Sequence, residues 1–169
     1  MADAKVTDYL NDNFVSTYLK VGTFEKIGNQ KVGGNVATYF CLADGSVIHA
    51  VPGQVNGQKL LSEARFAYEI RKAALIAGAK LGTDTMSMPK YAESIRRAHL
   101  ERYHSETNGA WNHGSKPQLP TKMPRNVSQQ AQVHWLLARE PLPRLENLYP
   151  VVWQTILNEK LSALPVAQR

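Results

Sequence analysis

Residues 32–61 constrain the fold of this 169-residue chain more than any other stretch. Residues 36–43 are apolar, β-branched or aromatic at nearly every position, which is typical of a strand covered on both faces. Asp44-Gly45 then predicts a tight two-residue turn, because glycine tolerates positive φ. The return strand at residues 46–51 should stop at Pro52, which has no N–H to donate to a ladder. The sequence therefore predicts a buried β-hairpin here.

Apolar residues at helical spacing predict helices at residues 3–11, 58–79, 89–104, 127–139 and 145–161. Asn56 and Ser128 are expected to cap the second and fourth of these helices. Residues 14–21 read as a mostly buried strand. Residues 24–32 favour an additional hairpin turning at Gly28-Asn29.

The order of these elements resembles the C-terminal half of the thioredoxin fold. Gly33-Gly34 leads into the buried strand, Asp44-Gly45 occupies the hairpin turn, and Val51-Pro52-Gly53 precedes the final helix. The stretch from Gly33 to Ala64 is also similar to thioredoxin-like proteins of unassigned role from bacteria such as planctomycetes. The resemblance covers roughly residues 3–80.

The resemblance implies an α/β fold, namely a thioredoxin-like mixed sheet that lacks its first strand and is flanked by helices. A thioredoxin-like domain is expected at 1–80, followed at 81–169 by a helical extension with a long loop at 105–126. All three tryptophans of the chain lie in this second half, in which no known nucleic-acid-binding module can be recognised. A loop of this length inside a compact domain is unusual and indicates a binding arm or a tether.

The chain departs from the redox-active members of that family. Dithiol exchange needs a Cys-x-x-Cys pair at a helix start, and this chain has one cysteine, Cys41, in the middle of a strand. The cis-proline of the family aligns with Ala37. We therefore expect a redox-inactive protein without catalytic residues, and we interpret Cys41 as a small core side chain.

These features favour a non-catalytic protein-binding or structural subunit of a larger assembly or homo-oligomer. The expected partner-binding residues are aromatic and arginine side chains, which are enriched in interface cores: Arg96, Arg97, Arg102, Trp111, Trp135 and Trp153.

Two alternatives remain open at the level of sequence. The chain could be a truncated thiol–disulfide oxidoreductase whose cysteine pair lies upstream of Met1 or on another chain. It could also bind nucleic acid through the basic region at 90–125, because residues 61–125 carry eleven basic and six acidic groups. The acidic residues Glu93 and Glu101 and the absence of a nucleic-acid-binding module make this reading the weaker one.

No cofactor and no metal are expected from the sequence. The five histidines are His49, His99, His104, His113 and His134, and none forms a helix-spaced HExxH pair. A zinc ion would need ligands gathered from several elements. His49 is expected to alternate outward from its strand toward the sheet edge.

The sequence leaves the compartment undetermined. No run reaches the roughly 18 apolar residues of a membrane span. The first residues lack the basic start and apolar core of a signal peptide. A cytoplasmic protein is expected if Met1 is the true start, and an extracytoplasmic one if an upstream signal has been removed.

Overall fold

The computed structural model describes residues 4–22, 24–80, 85–107 and 118–161, and for 24–27 and 30–33 it describes the backbone alone. These residues form a mixed α/β structure with two separate two-stranded antiparallel hairpins. The α/β class is therefore confirmed.

The predicted central hairpin is present, although its loop has three residues, Ala43 to Gly45, in place of the predicted two, because Leu42 and Ser46 pair across it. Strand β3, Ala37–Cys41, pairs antiparallel with β4, Val47–Pro52, and the register shifts between Phe40 and Cys41. Two further strands, β1 (Phe24–Ile27) and β2 (Gln30–Gly33), precede them in the chain. Gly45 has a φ of 83°, which glycine adopts at no steric cost, and Asp44 accepts a 2.9 Å hydrogen bond from the Ser46 amide.

Helices occupy most of the remaining described chain: α1 Ala4–Asn13, α2 Gly57–Gly78, α3 Met88–Glu106, α4 Gln129–Arg139 and α5 Leu145–Val151. Both expected caps are confirmed: Asn56 Oδ1 accepts from the Lys59 amide at 2.8 Å, and Ser128 Oγ accepts from the Ala131 amide at 3.0 Å. The last helix, which contains Pro150, passes into a π-helical turn at Val152–Ile156. It ends several residues before the predicted position 161.

The N-terminal region differs from expectation in one element. The additional hairpin is confirmed: β1, Phe24–Ile27, pairs with β2, Gln30–Gly33, through a turn in which Gly28 has a φ of 63°. The predicted strand at 14–21 is wrong, because only Leu19 forms a single β-bridge there. Phe14 packs on the core and Val21 is half-buried, whereas Val15, Tyr18 and Leu19 are exposed, and the segment has no ladder of its own.

Strand β4 lies at the centre of the core, and each of its residues is buried. Ile48 and Val51 pack with α2 and α3, whereas Val47 and Ala50 pack with α4, α5 and the π-helical turn. Residues on both sides of position 80 thus share one interior.

Part of the predicted loop at 105–126 can be described. Helix α3 continues to Glu106, residues 108–117 lie outside the described residues, and 118–128 form neither helix nor strand. Side chains of α4 hold this segment: Trp135 Nε1 donates to the Pro120 carbonyl at 2.9 Å, and Gln132 Nε2 donates to the Pro124 carbonyl at 3.0 Å. Among the helices described, none combines the length and the apolar character needed to cross a bilayer.

Candidate metal centre

Three histidines from three different elements meet in the interior. His49 comes from β4, His99 from α3 and His134 from α4, and all three side chains have no solvent exposure. One ring nitrogen from each lies within 4.8 Å of the other two. The ring centroids are 5.1 Å apart for His99–His134, 5.4 Å for His49–His134 and 5.5 Å for His49–His99. We call these three residues the histidine cluster.

The local structure explains why each histidine is buried. Helix α3 buries one row of residues spaced four apart, Tyr91, Ile95, His99 and Tyr103. Helix α4 buries Ala131, His134, Trp135 and Ala138, which follow the i, i+3, i+4, i+7 pattern of a core-facing stripe. His49 lies inside the completely buried β4. Each histidine therefore occupies a position where its element would ordinarily place an apolar side chain.

The hydrogen bonds of His99 assign its tautomer. His99 Nε2 lies 2.8 Å from the Ile48 carbonyl oxygen, which can only accept, so Nε2 carries the proton. His99 Nδ1 is then bare in the neutral ring and accepts from His134 Nδ1 at 2.9 Å. The proton of a neutral His134 ring therefore lies on Nδ1.

The opposite nitrogen of His134 agrees with this assignment. Gln130 Nε2 donates to the Ala50 carbonyl at 3.0 Å, which fixes the orientation of the amide. The same amide nitrogen lies 3.4 Å from His134 Nε2, where its second N–H can donate to a bare ring nitrogen. A directional chain of hydrogen bonds thus runs from Gln130 through His134 and His99 to the Ile48 carbonyl.

His49 is held by a buried carboxylate. Its Nε2 lies 2.9 Å from Glu63 Oε2, and Glu63 is only 1% exposed. Lys59, one turn earlier in α2, places its ammonium 2.6 Å from Glu63 Oε1. A carboxylate accepts, so His49 carries its proton on Nε2. Among the described residues, no group forms a hydrogen bond with His49 Nδ1, which is buried.

A second carboxylate lies on the far side of His134. Glu106 Oε1 is 3.5 Å from His134 Nε2, and Glu106 is 22% exposed. Ser128 Oγ donates to Glu106 Oε2 at 3.2 Å, which ties the end of α3 to the start of α4. Each ring of the cluster therefore has an oxygen acceptor near its Nε2 atom.

One aromatic ring covers a side of the cluster. The Phe66 centroid is 5.0 Å from His49, 5.6 Å from His99 and 5.7 Å from His134, and its plane is nearly perpendicular to all three. The Arg102 guanidinium lies over Phe66 at 4.5 Å from its centroid. Phe66 thus separates the histidine nitrogens from a cation nearer the surface.

Burial determines the charge of these groups. Desolvation lowers the pKa of His49 to about 4, although the hydrogen bond to Glu63 opposes this effect. Desolvation and the neighbouring rings of His134 and His49 lower the pKa of His99 well below its usual value. Burial alone would raise the pKa of Glu63, but hydrogen bonds from His49 and Lys59 hold it at about 2. At neutral pH, His49 and His99 are neutral and Glu63 is a carboxylate.

The cluster fits a transition-metal ion in ligand type and spacing. Neutral imidazole binds Zn²⁺ at about 2.0–2.1 Å, so three imidazoles around one ion have ring centroids roughly 5.2–5.5 Å apart. The observed centroid distances are 5.1–5.5 Å. The bound nitrogens would be about 3.3–3.6 Å apart, so an ion held by both rings would widen the 2.9 Å separation between His99 Nδ1 and His134 Nδ1 slightly.

The outer hydrogen bonds also match those of metal sites, where a ligating histidine donates its other N–H to a carboxylate or a backbone carbonyl. His49 does so to Glu63 and His99 to the Ile48 carbonyl. These two rings already have Nδ1 bare, as ligation requires.

The residues expected to bind a partner do not converge on one site. Arg96 pairs with Glu93 at 2.6 Å, and Arg97 pairs with Glu101 at 3.0 Å, both on the outer face of α3. Arg102 stacks on Phe66, and Trp111 lies outside the described residues. Trp135 and Trp153 are 6% and 5% exposed. Both tryptophans lie on core-facing positions, so little of either side chain is available at the surface to bind a partner.

Sequence reasoning missed the centre that the structure assembles. The prediction that His49 points outward is wrong because both sides of β4 are covered. Glu63, a charged residue of α2, is also buried, because it lies on the same helix face as Ala67, Ile70 and Ala74. A signal did exist: His99 and His134 each interrupt an apolar helical stripe, and His49 interrupts a buried strand.

No known family model, curated protein or solved structure matches this chain. The described residues define a mixed α/β protein whose interior contains a three-histidine cluster with carboxylates beside it.

Proposed function

We propose that this protein binds a divalent transition-metal ion of the zinc type through Nδ1 of His49, His99 and His134. The observation that carries the proposal is the matched geometry of three buried imidazoles. Their centroids have the spacing of a ligand set, and every Nε2 has an oxygen acceptor nearby. Imidazole ligands favour Zn²⁺, Cu²⁺ or Ni²⁺ over Mg²⁺ and Ca²⁺, which prefer oxygen.

The position of the centre favours a stabilising role for the ion. Its ligands come from β4, α3 and α4, so one ion would join elements that are far apart in the chain. All three ligands have no solvent exposure, and Phe66 covers one side of the cluster. Binding of metal would then contribute directly to the free energy of folding.

The expected result of adding Zn²⁺ to the metal-free protein is a higher melting temperature. Zinc at about 100 times its Kd adds about 3 kcal/mol of stability, which raises the Tm of a chain of this size by roughly 5–10 °C. Differential scanning calorimetry measures this shift, and the visible spectrum of the Co²⁺-loaded protein reports the number and type of ligands.

Magnesium serves as the matched control and should leave the Tm unchanged, because the centre offers nitrogen ligands. His104→Gln, which changes a histidine in α3 outside the cluster, should retain the zinc shift. An unchanged Tm with zinc in tenfold excess over protein, together with a Co²⁺ spectrum identical to the aqueous ion, would rule out the proposal.

A protein-binding role is the second candidate, and the segment between α1 and β1 favours it. Val15, Tyr18 and Leu19 are exposed apolar side chains in this short stretch. We expect self-association that Val15→Glu with Leu19→Glu weakens, measured as native mass by light scattering. A monomeric mass for the wild-type chain at high concentration would contradict it.

The thioredoxin-like arrangement stays a prediction, supported by the order of β3, β4 and α2.

A further inference from the structure

In its neutral form, His134 is the one member of the cluster whose proton lies on the nitrogen that would have to bind the metal. The His99 bond places the His134 proton on Nδ1, whereas ligation through Nδ1 requires that proton on Nε2. His49 and His99 need no such change, because both already donate from Nε2. Binding of a metal ion by the cluster therefore depends on the hydrogen-bonding groups that lie near His134 Nε2.

Two groups of opposite hydrogen-bonding character face that nitrogen. The Gln130 amide, held as a donor by the Ala50 carbonyl, lies 3.4 Å from His134 Nε2. The Glu106 carboxylate, which can only accept, lies 3.5 Å from the same atom. A bare Nε2 is satisfied by Gln130, and a protonated Nε2 is satisfied by Glu106.

We propose that Gln130 and Glu106 are opposing positioning residues that hold the two tautomers of His134, one for the metal-free centre and one for the metal-loaded centre. This inference rests on the proposed function. The ring gains a proton at Nε2 as it loses one at Nδ1, so it has one N–H in both states. In the metal-free state His134 donates to His99, and in the loaded state it donates to Glu106 while Nδ1 binds the ion.

The proposal predicts effects of opposite sign from two similar substitutions. Glu106→Met removes the acceptor needed by the loaded state and should weaken Zn²⁺ binding 10- to 100-fold, the usual effect of losing an outer-shell partner. Gln130→Met removes the donor that favours the metal-free tautomer and should tighten binding about five-fold, as expected for one neutral hydrogen bond. Competition with a chromophoric chelator measures both affinities. Glu106→Gln, which keeps an acceptor oxygen, should recover part of the loss.

Glu101→Met is the matched control for charge, because it removes another carboxylate of α3, which among the described residues pairs with the exposed Arg97. This substitution should change the affinity for Zn²⁺ less than two-fold, because an exposed ion pair contributes little free energy. Long-range ¹H–¹⁵N spectra of the imidazoles report the tautomer of His134 directly. If Gln130 and Glu106 had only a structural role, these signals would not change on metal binding. They should show the His134 proton on Nδ1 in the metal-free protein and on Nε2 with Zn²⁺ bound.

The outcomes separate the two proposals. Failure of the wild-type chain to bind Zn²⁺ overturns the proposed function itself. Tight binding by the wild type with equal affinities in Glu106→Met and Gln130→Met overturns only the tautomer exchange. A metal-free spectrum with the His134 proton on Nε2 also overturns it, whatever the affinities are.

Discussion

His99→Phe is expected to lower the affinity for Zn²⁺ by more than about 100-fold, because loss of a ligand costs more than loss of an outer-shell partner. Phenylalanine fills a similar volume, so α3 should still pack on β4. The metal-free variant loses the acceptor of the His134 Nδ1 proton and the donor to the Ile48 carbonyl. Buried groups left unpaired cost about 1–3 kcal/mol of unfolding free energy.

The measurement is a chelator competition titration on the folded variant, with circular dichroism to verify the fold. His104→Phe makes the same chemical change five residues further along α3, outside the cluster, and it should leave the affinity unchanged. His134→Phe is a second ligand variant for the case in which His99→Phe does not fold. Wild-type affinity in both ligand variants would show that zinc binds elsewhere.

Acidification is expected to destabilise the metal-free protein. His49 has a pKa of about 4 in the folded chain and about 6.5 when unfolded, so the unfolded state binds more protons between these values. The free energy of unfolding therefore falls as the pH drops from about 6.5 toward 4, by roughly 3 kcal/mol from this residue. His99 acts in the same direction. Glu63, with a pKa of about 2, extends the loss below pH 4.5.

Urea unfolding of the metal-free chain at pH 7.5, 6.0 and 5.0 measures this dependence. Bound zinc keeps the ligands deprotonated, so the loaded protein should have a steeper dependence, since acid also releases the ion. An unfolding free energy that stays constant between pH 7.5 and 5.0 would contradict the neutral, buried state of His49 and His99.

Local features of the sequence predicted local structure well. The positive φ of Gly45 and the Asn56 and Ser128 caps involve neighbours in the chain, and each is present where the sequence predicts it. The strand at 14–21 failed because a strand also needs a partner, which the sequence does not specify. The same limit applies to the centre: three histidines at positions 49, 99 and 134 become one site only when β4, α3 and α4 pack together.

The central position of β4 also affects how the chain folds during synthesis. Ile48 and Val51 can be covered once α2 and α3 have left the ribosome, but the groups that cover Val47 and Ala50 come from α4, α5 and the π-helical turn. A nascent chain that ends near residue 107 would expose these apolar groups to solvent and to chaperones. Strand β4 is synthesised early but is covered completely only by α4, α5 and the π-helical turn, which are synthesised last. Until these helices have emerged from the ribosome, β4 is vulnerable to aggregation.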